Sequence, residues 1–112
     1  MFDVEASDSE GVRRIVLVGE FDLAAMPTAE TSLAEATANG YGALEIDLRA
    51  LTFLDSSGVR SLMTTVDRCR DRGVPLTIIP GPRGVQRVFE ITGLVDALPF
   101  STPTDEADGE RT

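Results

Sequence analysis

The chain has no histidine and no lysine, and its only cysteine is Cys69. Each absence removes a class of chemistry. Without histidine, neither a Ser-His-Asp nor a Cys-His arrangement can be assembled. Without lysine, the serine–lysine variant, Schiff-base chemistry and the lysine of a phosphate-binding Walker loop are excluded. A lone cysteine with no histidine falls short of the usual zinc sets and cannot close an internal disulfide. No glycine fingerprint for a dinucleotide follows a strand-like segment. No apolar run approaches the roughly 18 residues that cross a bilayer. The acidic start Met1-Phe2-Asp3-Val4-Glu5 also departs from the basic-then-apolar plan of a secretion signal. Cytoplasm is the expected compartment, and neither a metal nor a cofactor is expected.

What remains is a chain of 112 residues with 42% apolar and 26% charged residues, the profile of one globular domain able to bury a core unaided. Its net charge is −9, and all ten cations are arginine. An acidic surface repels phosphate backbones and anionic headgroups, so nucleic acid and membrane are not expected partners. Four acids (Asp105, Glu106, Asp108 and Glu110) lie in the last twelve residues. Without that tail, 15 acids still face 9 arginines. The expected organisation is a domain over residues 1–100 and an acidic, disordered tail over 101–112.

Periodicity switches repeatedly between two and 3.6. Phe2-Asp3-Val4-Glu5-Ala6 alternates as a half-buried strand does, with a polar connection at 7–11. Ile15-Val16-Leu17-Val18 predicts a more central strand, ended by Gly19. Met26, Ala29, Leu33 and Ala36 recur at helical spacing, with Pro27 in the first turn and Asn39-Gly40 as the stop. Leu44, Ile46 and Leu48 alternate with Glu45, Asp47 and Arg49 as a strand. Val59, Leu62, Met63, Val66 and Cys69 form one apolar helical stripe, capped by Gly73. Leu76-Thr77-Ile78-Ile79 predicts a strand. A last helix spans 83–92, followed by a short terminal element over 94–98. Strands alternating with helices predict an α/β fold whose crossovers join parallel strands, with an antiparallel opening pair.

Two carboxylates can suffice for a glycosidase. Here Asp22, Asp47 and Asp55 are the only acids near apolar strands, and with 5% aromatics there is little platform for a sugar. Those three read as solvated strand-end residues, and no catalysis is expected. The segment that stands out is Leu54-Asp55-Ser56-Ser57-Gly58, running straight into the striped helix. Asp and Ser are good N-caps, which is the simpler reading. No Glu or Gln completes a capping box after either serine, and Gly58 in the first turn costs up to about 1 kcal/mol relative to alanine. A glycine kept there implies a close backbone approach, such as room for a partner. The alternative is a phosphorylatable hydroxyl at a helix start, where N–H groups and the helix dipole accommodate added negative charge. Composition and periodicity alone favour the cap.

Three segments together resemble the STAS family, and within it the bacterial anti-anti-sigma factors (anti-sigma factor antagonists). They are Gly19-Glu20-Phe21-Asp22, Leu51-Thr52-Phe53-Leu54-Asp55-Ser56-Ser57-Gly58, and Val85-Gln86-Arg87-Val88-Phe89-Glu90-Ile91-Thr92-Gly93-Leu94. Their order and spacing agree over about residues 2–100. The resemblance implies a mixed sheet of four to five strands with helices mainly on one side. It also implies a partner switch. The unphosphorylated protein binds an anti-sigma factor that is a GHKL-type serine kinase, and the sigma factor is released. The kinase phosphorylates the second serine, here Ser57, and the complex dissociates. A PP2C-type phosphatase restores the binding form. Asp22 and Asp55 match positions flanking the acceptor, with Glu20, Ser56 and Gly58 in the same docking region.

Arg60 departs from the pattern, because many members carry a small residue there. It reads as an exposed helix residue, or as a partner for phosphorylated Ser57 or for an acidic group on the bound protein. The alternative function within the family is an adaptor or scaffold module of a stress-sensing complex or a lipid-transport system.

Overall fold

The computed structural model describes residues 1–38 and 40–101. The expected disordered stretch therefore lies, from residue 102 onward, outside the described residues.

The chain opens with strand β1 (Phe2–Ser9), which pairs antiparallel with β2 (Val12–Phe21). The connection is tighter than the polar run 7–11 suggests. Strand pairing continues to Ser9↔Val12, leaving only Glu10 and Gly11 in the turn. Both have positive φ, 52° and 81°, as a two-residue hairpin turn of the right twist requires. A short 3₁₀ turn (Leu23–Ala25) leads into α1 (Met26–Ala38). Then follow β3 (Ala43–Asp47), β4 (Leu51–Leu54), α2 (Ser56–Arg72), β5 (Leu76–Ile79) and α3 (Arg83–Thr92).

The sheet is mixed and five-stranded, ordered β1-β2-β3-β5, with β4 also on β2. Strands β3 and β4 lie one after the other along the same edge of β2, both parallel to it. Residues 12–16 of β2 face β3, and residues 19–21 face β4. Gly19 therefore does not end the strand as its sequence suggests. It sits where β2 changes partner, with φ +94° and a register shift at the next residue. A Cβ there would fall 2.0 Å from the Met1 carbonyl oxygen, so glycine is the residue that lets the bulge close.

Alternation decides the layers. Ile15 and Leu17 of β2 and Leu44 and Ile46 of β3 project to one face and are buried. The buried residues of all three helices join them in one core, including Leu33 of α1, Leu62 and Val66 of α2, and Val85 and Phe89 of α3. Each fully buried Leu or Phe contributes about 1.5–3 kcal/mol. Helices α1 and α2 pack on each other, and α3 packs against β4. Helix α2 ends on Gly73 at φ 67°, with its N–H and that of Val74 returned to Arg70 and Cys69 carbonyls, a left-handed cap. Cys69 is buried, and burial pushes its thiol pKa up, so it serves as a small apolar core residue. After a 3₁₀ turn (Val95–Ala97), the segment 98–101 runs along the outer edge of β5 through Ile78 N–H to Pro99 O (2.9 Å) and Ser101 N–H to Ile78 O (2.9 Å).

Candidate functional site

Parallel pairing of β2 and β4 brings their carboxyl ends together. Phe21 lies opposite Leu54, and the Asp55 N–H donates to the Phe21 carbonyl at 3.2 Å. Asp22 and Asp55 thus leave adjacent strands at the same end of the sheet, where α/β folds gather their functional loops. They adopt nearly the same backbone, φ/ψ −117°/−173° and −113°/−174°. Each is an N-cap. Asp22 Oδ1 accepts from the Ala25 N–H at 3.2 Å. Asp55 Oδ1 accepts from the N–H groups of Ser57 (2.9 Å) and Gly58 (3.2 Å). The cap of α2 is therefore the aspartate and neither serine, because its carboxylate satisfies two orphan donors of the first turn at once.

That leaves both serines as the first residues of α2. Ser56 is exposed and Ser57 is half-buried. Gly58 is buried, and a Cβ on it would lie 2.5 Å from Leu54 Cδ1 and 3.0 Å from both Cγ and the carbonyl oxygen of Phe21. The close approach expected of this glycine is made by the chain's own strands rather than by an outside partner. Glycine lets α2 sit down on β2 and β4, which holds the serines at the strand ends. Arg60 is exposed on the following turn.

Glu20 is exposed and holds the Met1 ammonium at 2.9 Å. That contact, more than the neighbouring charges, raises the amino-group pKa. Glu20 and Asp22, with Met1 and Phe2, line a shallow cleft of about 210 Å³ beside this end of the sheet. Two large apolar side chains are exposed next to the aspartates: Leu23, which follows Asp22, and Phe53, the register partner of Glu20. Leu23 and Phe53 escape sequence reasoning, because strand and helix periodicity assign apolar residues to the core by default.

Asp47 corrects the expectation for the three strand-end acids. It is buried, at 4% exposure, and bound by arginines. Arg14 Nη2 donates to it at 2.7 Å and Arg49 Nη2 at 2.9 Å, and the Arg49 N–H caps Oδ1 at 2.9 Å. Burial alone would raise its pKa, but the Arg49 hydrogen bonds and the charges of Arg49 and Arg14 outweigh it and hold the carboxyl below its ordinary value. This cluster fixes the turn between β3 and β4, and so the position of β4 along β2. Arg14, Glu45 and Asp47 share the sheet face opposite the core, which only the β2–β3 register reveals.

Among the described residues no cluster of three or more His, Cys, Asp or Glu could hold a metal ion, and no helix is long and apolar enough to cross a membrane. The arrangement offers two capped helix starts, a serine on the first turn of α2, and an acidic rim around exposed apolar residues.

Comparison with known proteins gives this geometry a context. The family profile described as STAS domain matches residues 3–107. The chain is 30% identical over 109 residues to the anti-sigma-F factor antagonist RsfB of Mycobacterium tuberculosis, covering 96% of this chain and 88% of that one. Among solved structures, an anti-sigma factor antagonist from Mycobacterium paratuberculosis superposes with a TM-score of 0.84 at 26% identity, covering 100% of this chain and 96% of the other. The Bacillus protein SpoIIAA shares the fold in its unphosphorylated form (TM-score 0.73, 21% identity, 99% and 96% covered) and in its phosphorylated form (0.67, 20%, 96% and 97%). A five-stranded mixed sheet with its helices in one core, two aspartate-capped helix starts at neighbouring strand ends and a family match over almost the whole length lead to one conclusion: the chain belongs to the STAS domain family.

Proposed function

We propose that this protein is an anti-sigma factor antagonist, a cytoplasmic binding protein rather than an enzyme, switched by phosphorylation of Ser57. Unphosphorylated, it binds an anti-sigma factor with GHKL-type serine kinase activity, which frees the sigma factor. Phosphorylation of Ser57 ends the complex, and a PP2C-type phosphatase restores it. The observation that carries this reading is the placement of Ser57. It is half-buried on the first turn of α2, between the Asp55 cap and the exposed Arg60, and next to the Asp22 cap.

The surroundings support a protein partner. Exposed Leu23 and Phe53 offer apolar area, and Glu20, Asp22 and Asp55 rim it with negative charge. Such a patch suits a partner with a basic rim. A phosphoryl group adds about −1.5 to −2 charges at its centre, enough to disrupt a docked interface while the buried core beneath stays untouched. Ser57 is thus a substrate of its partner.

The test is incubation with a candidate anti-sigma kinase and ATP, phosphate mapping by mass spectrometry, and a binding measurement on the same samples. Phosphate on Ser57 with loss of binding is expected, together with a Ser57→Ala variant that binds and is never modified. Stable binding by the Ser57-phosphorylated protein overturns the switch. Assembly into a large complex without any phosphorylation supports the adaptor alternative instead.

A further inference from the structure

If Ser57 is the acceptor, the head of α2 is poorly prepared for the product, and this raises the question of what holds the phosphate. Of the backbone donors that usually receive an anion at a helix start, all but the Ser56 N–H are occupied. Asp55 Oδ1 already takes the N–H groups of Ser57 and Gly58, and the Val59 N–H goes to the Asp55 carbonyl. Asp55 also places a carboxylate in the same turn, and Asp22 stands on the neighbouring strand end. A dianion added there gains little from the helix and is repelled by its surroundings.

The arginines offer one exit. Arg13 holds Asp8, Arg14 holds Glu45 and Asp47, Arg49 holds Asp47, and Arg70 holds Asp67. Arg72 donates to the Thr37 carbonyl. Arg60 is different. It is exposed, and among the described residues its guanidinium makes no hydrogen bond or ion pair. Its helical neighbours at three and four residues are Ser56, Ser57, Met63 and Thr64, none of them acidic. Over residues 19–26 and 54–61 it is the only cationic side chain. Helical side chains lean towards the N-terminus, which puts the turn that carries Ser57, three residues earlier and on the same face, within reach of Arg60.

We propose, resting on Ser57 as acceptor, that Arg60 clamps the phosphoryl group of phospho-Ser57. Its planar fork donates to two phosphoryl oxygens, replacing the backbone donors that Asp55 keeps. The pair holds the phosphate as a dianion at neutral pH and neutralises part of the charge that Asp55 and Asp22 would otherwise repel. The unphosphorylated form leaves the same guanidinium free.

The experiment separates this pair from the switch itself. Phosphoserine is incorporated at position 57 during translation, so no kinase is required, and its second ionisation is followed by phosphorus NMR against pH. Arg60→Ala and Arg60→Lys are measured beside the wild type, with thermal unfolding to show that each is folded. The wild-type phosphate is expected to lose its second proton at a pH lower than in Arg60→Ala by roughly half a unit to one unit, with Arg60→Lys between them. Coincident titrations of wild type and Arg60→Ala overturn the clamp, even if phosphorylation still abolishes partner binding. A clear gap supports it even if no kinase acts on Ser57, since then only the switch reading fails.

Discussion

Asp47 and Asp55 are the same residue type eight positions apart, each at the end of a parallel strand, and they have opposite fates. Asp47 is buried and receives two guanidinium groups. Asp55 is half-buried and receives only backbone N–H groups, an arrangement that Asp22 repeats on the neighbouring strand. The difference lies in what charge is left over. Around Asp47 the negative charge is cancelled within the fold, so the carboxylate acts as a bolt for the β3–β4 turn. At Asp22 and Asp55 the acid satisfies donors without meeting a cationic side chain among the described residues, so a net negative rim stays at the surface beside Ser57. An acid neutralised inside the fold holds structure, and an acid left with only dipoles for company is available to a partner.

The largest test of this contrast is Asp47→Asn. It removes the charge that two arginines bind, and is expected to cost about 2–3 kcal/mol and lower the melting temperature by roughly 10 °C. A loss no greater than that of Asp55→Ala would erase the distinction. The same carboxyl sets an acid limb. Its folded pKa lies below the ordinary 3.8, so its stabilisation is complete above about that pH and drains away as pH falls through the folded value. Denaturant midpoints measured from pH 5 downward should therefore fall more gently in Asp47→Asn than in the wild type.

Asp55→Ala removes a cap with two hydrogen bonds, and about 1 kcal/mol is expected, with Asp55→Ser recovering most of it. On the switch reading, partner affinity falls further in Asp55→Ser than stability does. Asp22→Ala removes a single 3.2 Å bond at a three-residue turn, so roughly 0.5 kcal/mol is expected, visible as a shift of only a few degrees. Smallest is Arg70→Ala. Its pair with Asp67, at 3.4 Å, lies between side chains 71% and 65% exposed, and the change should stay within about 0.5 kcal/mol by chemical denaturation.

Much of this was legible in the chain. The apolar stripe of α2 and its Gly73 stop lie where spacing puts them, because helical periodicity and left-handed caps are local properties. The serine turn was legible as a helix start, although the choice among Asp55, Ser56 and Ser57 as cap was open. Gly19 and Gly58 were legible only as anomalies. A glycine where a strand or helix would prefer a side chain signals crowding, but the crowding comes largely from distant residues: Met1 for Gly19, and Phe21, beside the nearby Leu54, for Gly58. Asp47 was misjudged partly for the same reason, since Arg14 is 33 residues away, although Arg49 stands only two residues on.

By itself, then, the sequence determined which chemistries are impossible, where the helices and most of the strands run, though neither β4 nor the end of β2 beyond Gly19, and that a serine pair opens the central helix. These follow from residue types and short-range spacing. Only the tertiary structure decided that β3 and β4 share one edge of β2, that Asp22 and Asp55 stand side by side, that Asp47 is a bolt rather than a surface acid, and that Arg60 has no acceptor among the described residues. Register, burial and the long-range ion pair of Arg14 with Asp47 depend on contacts between residues far apart in the chain, and no local pattern encodes them.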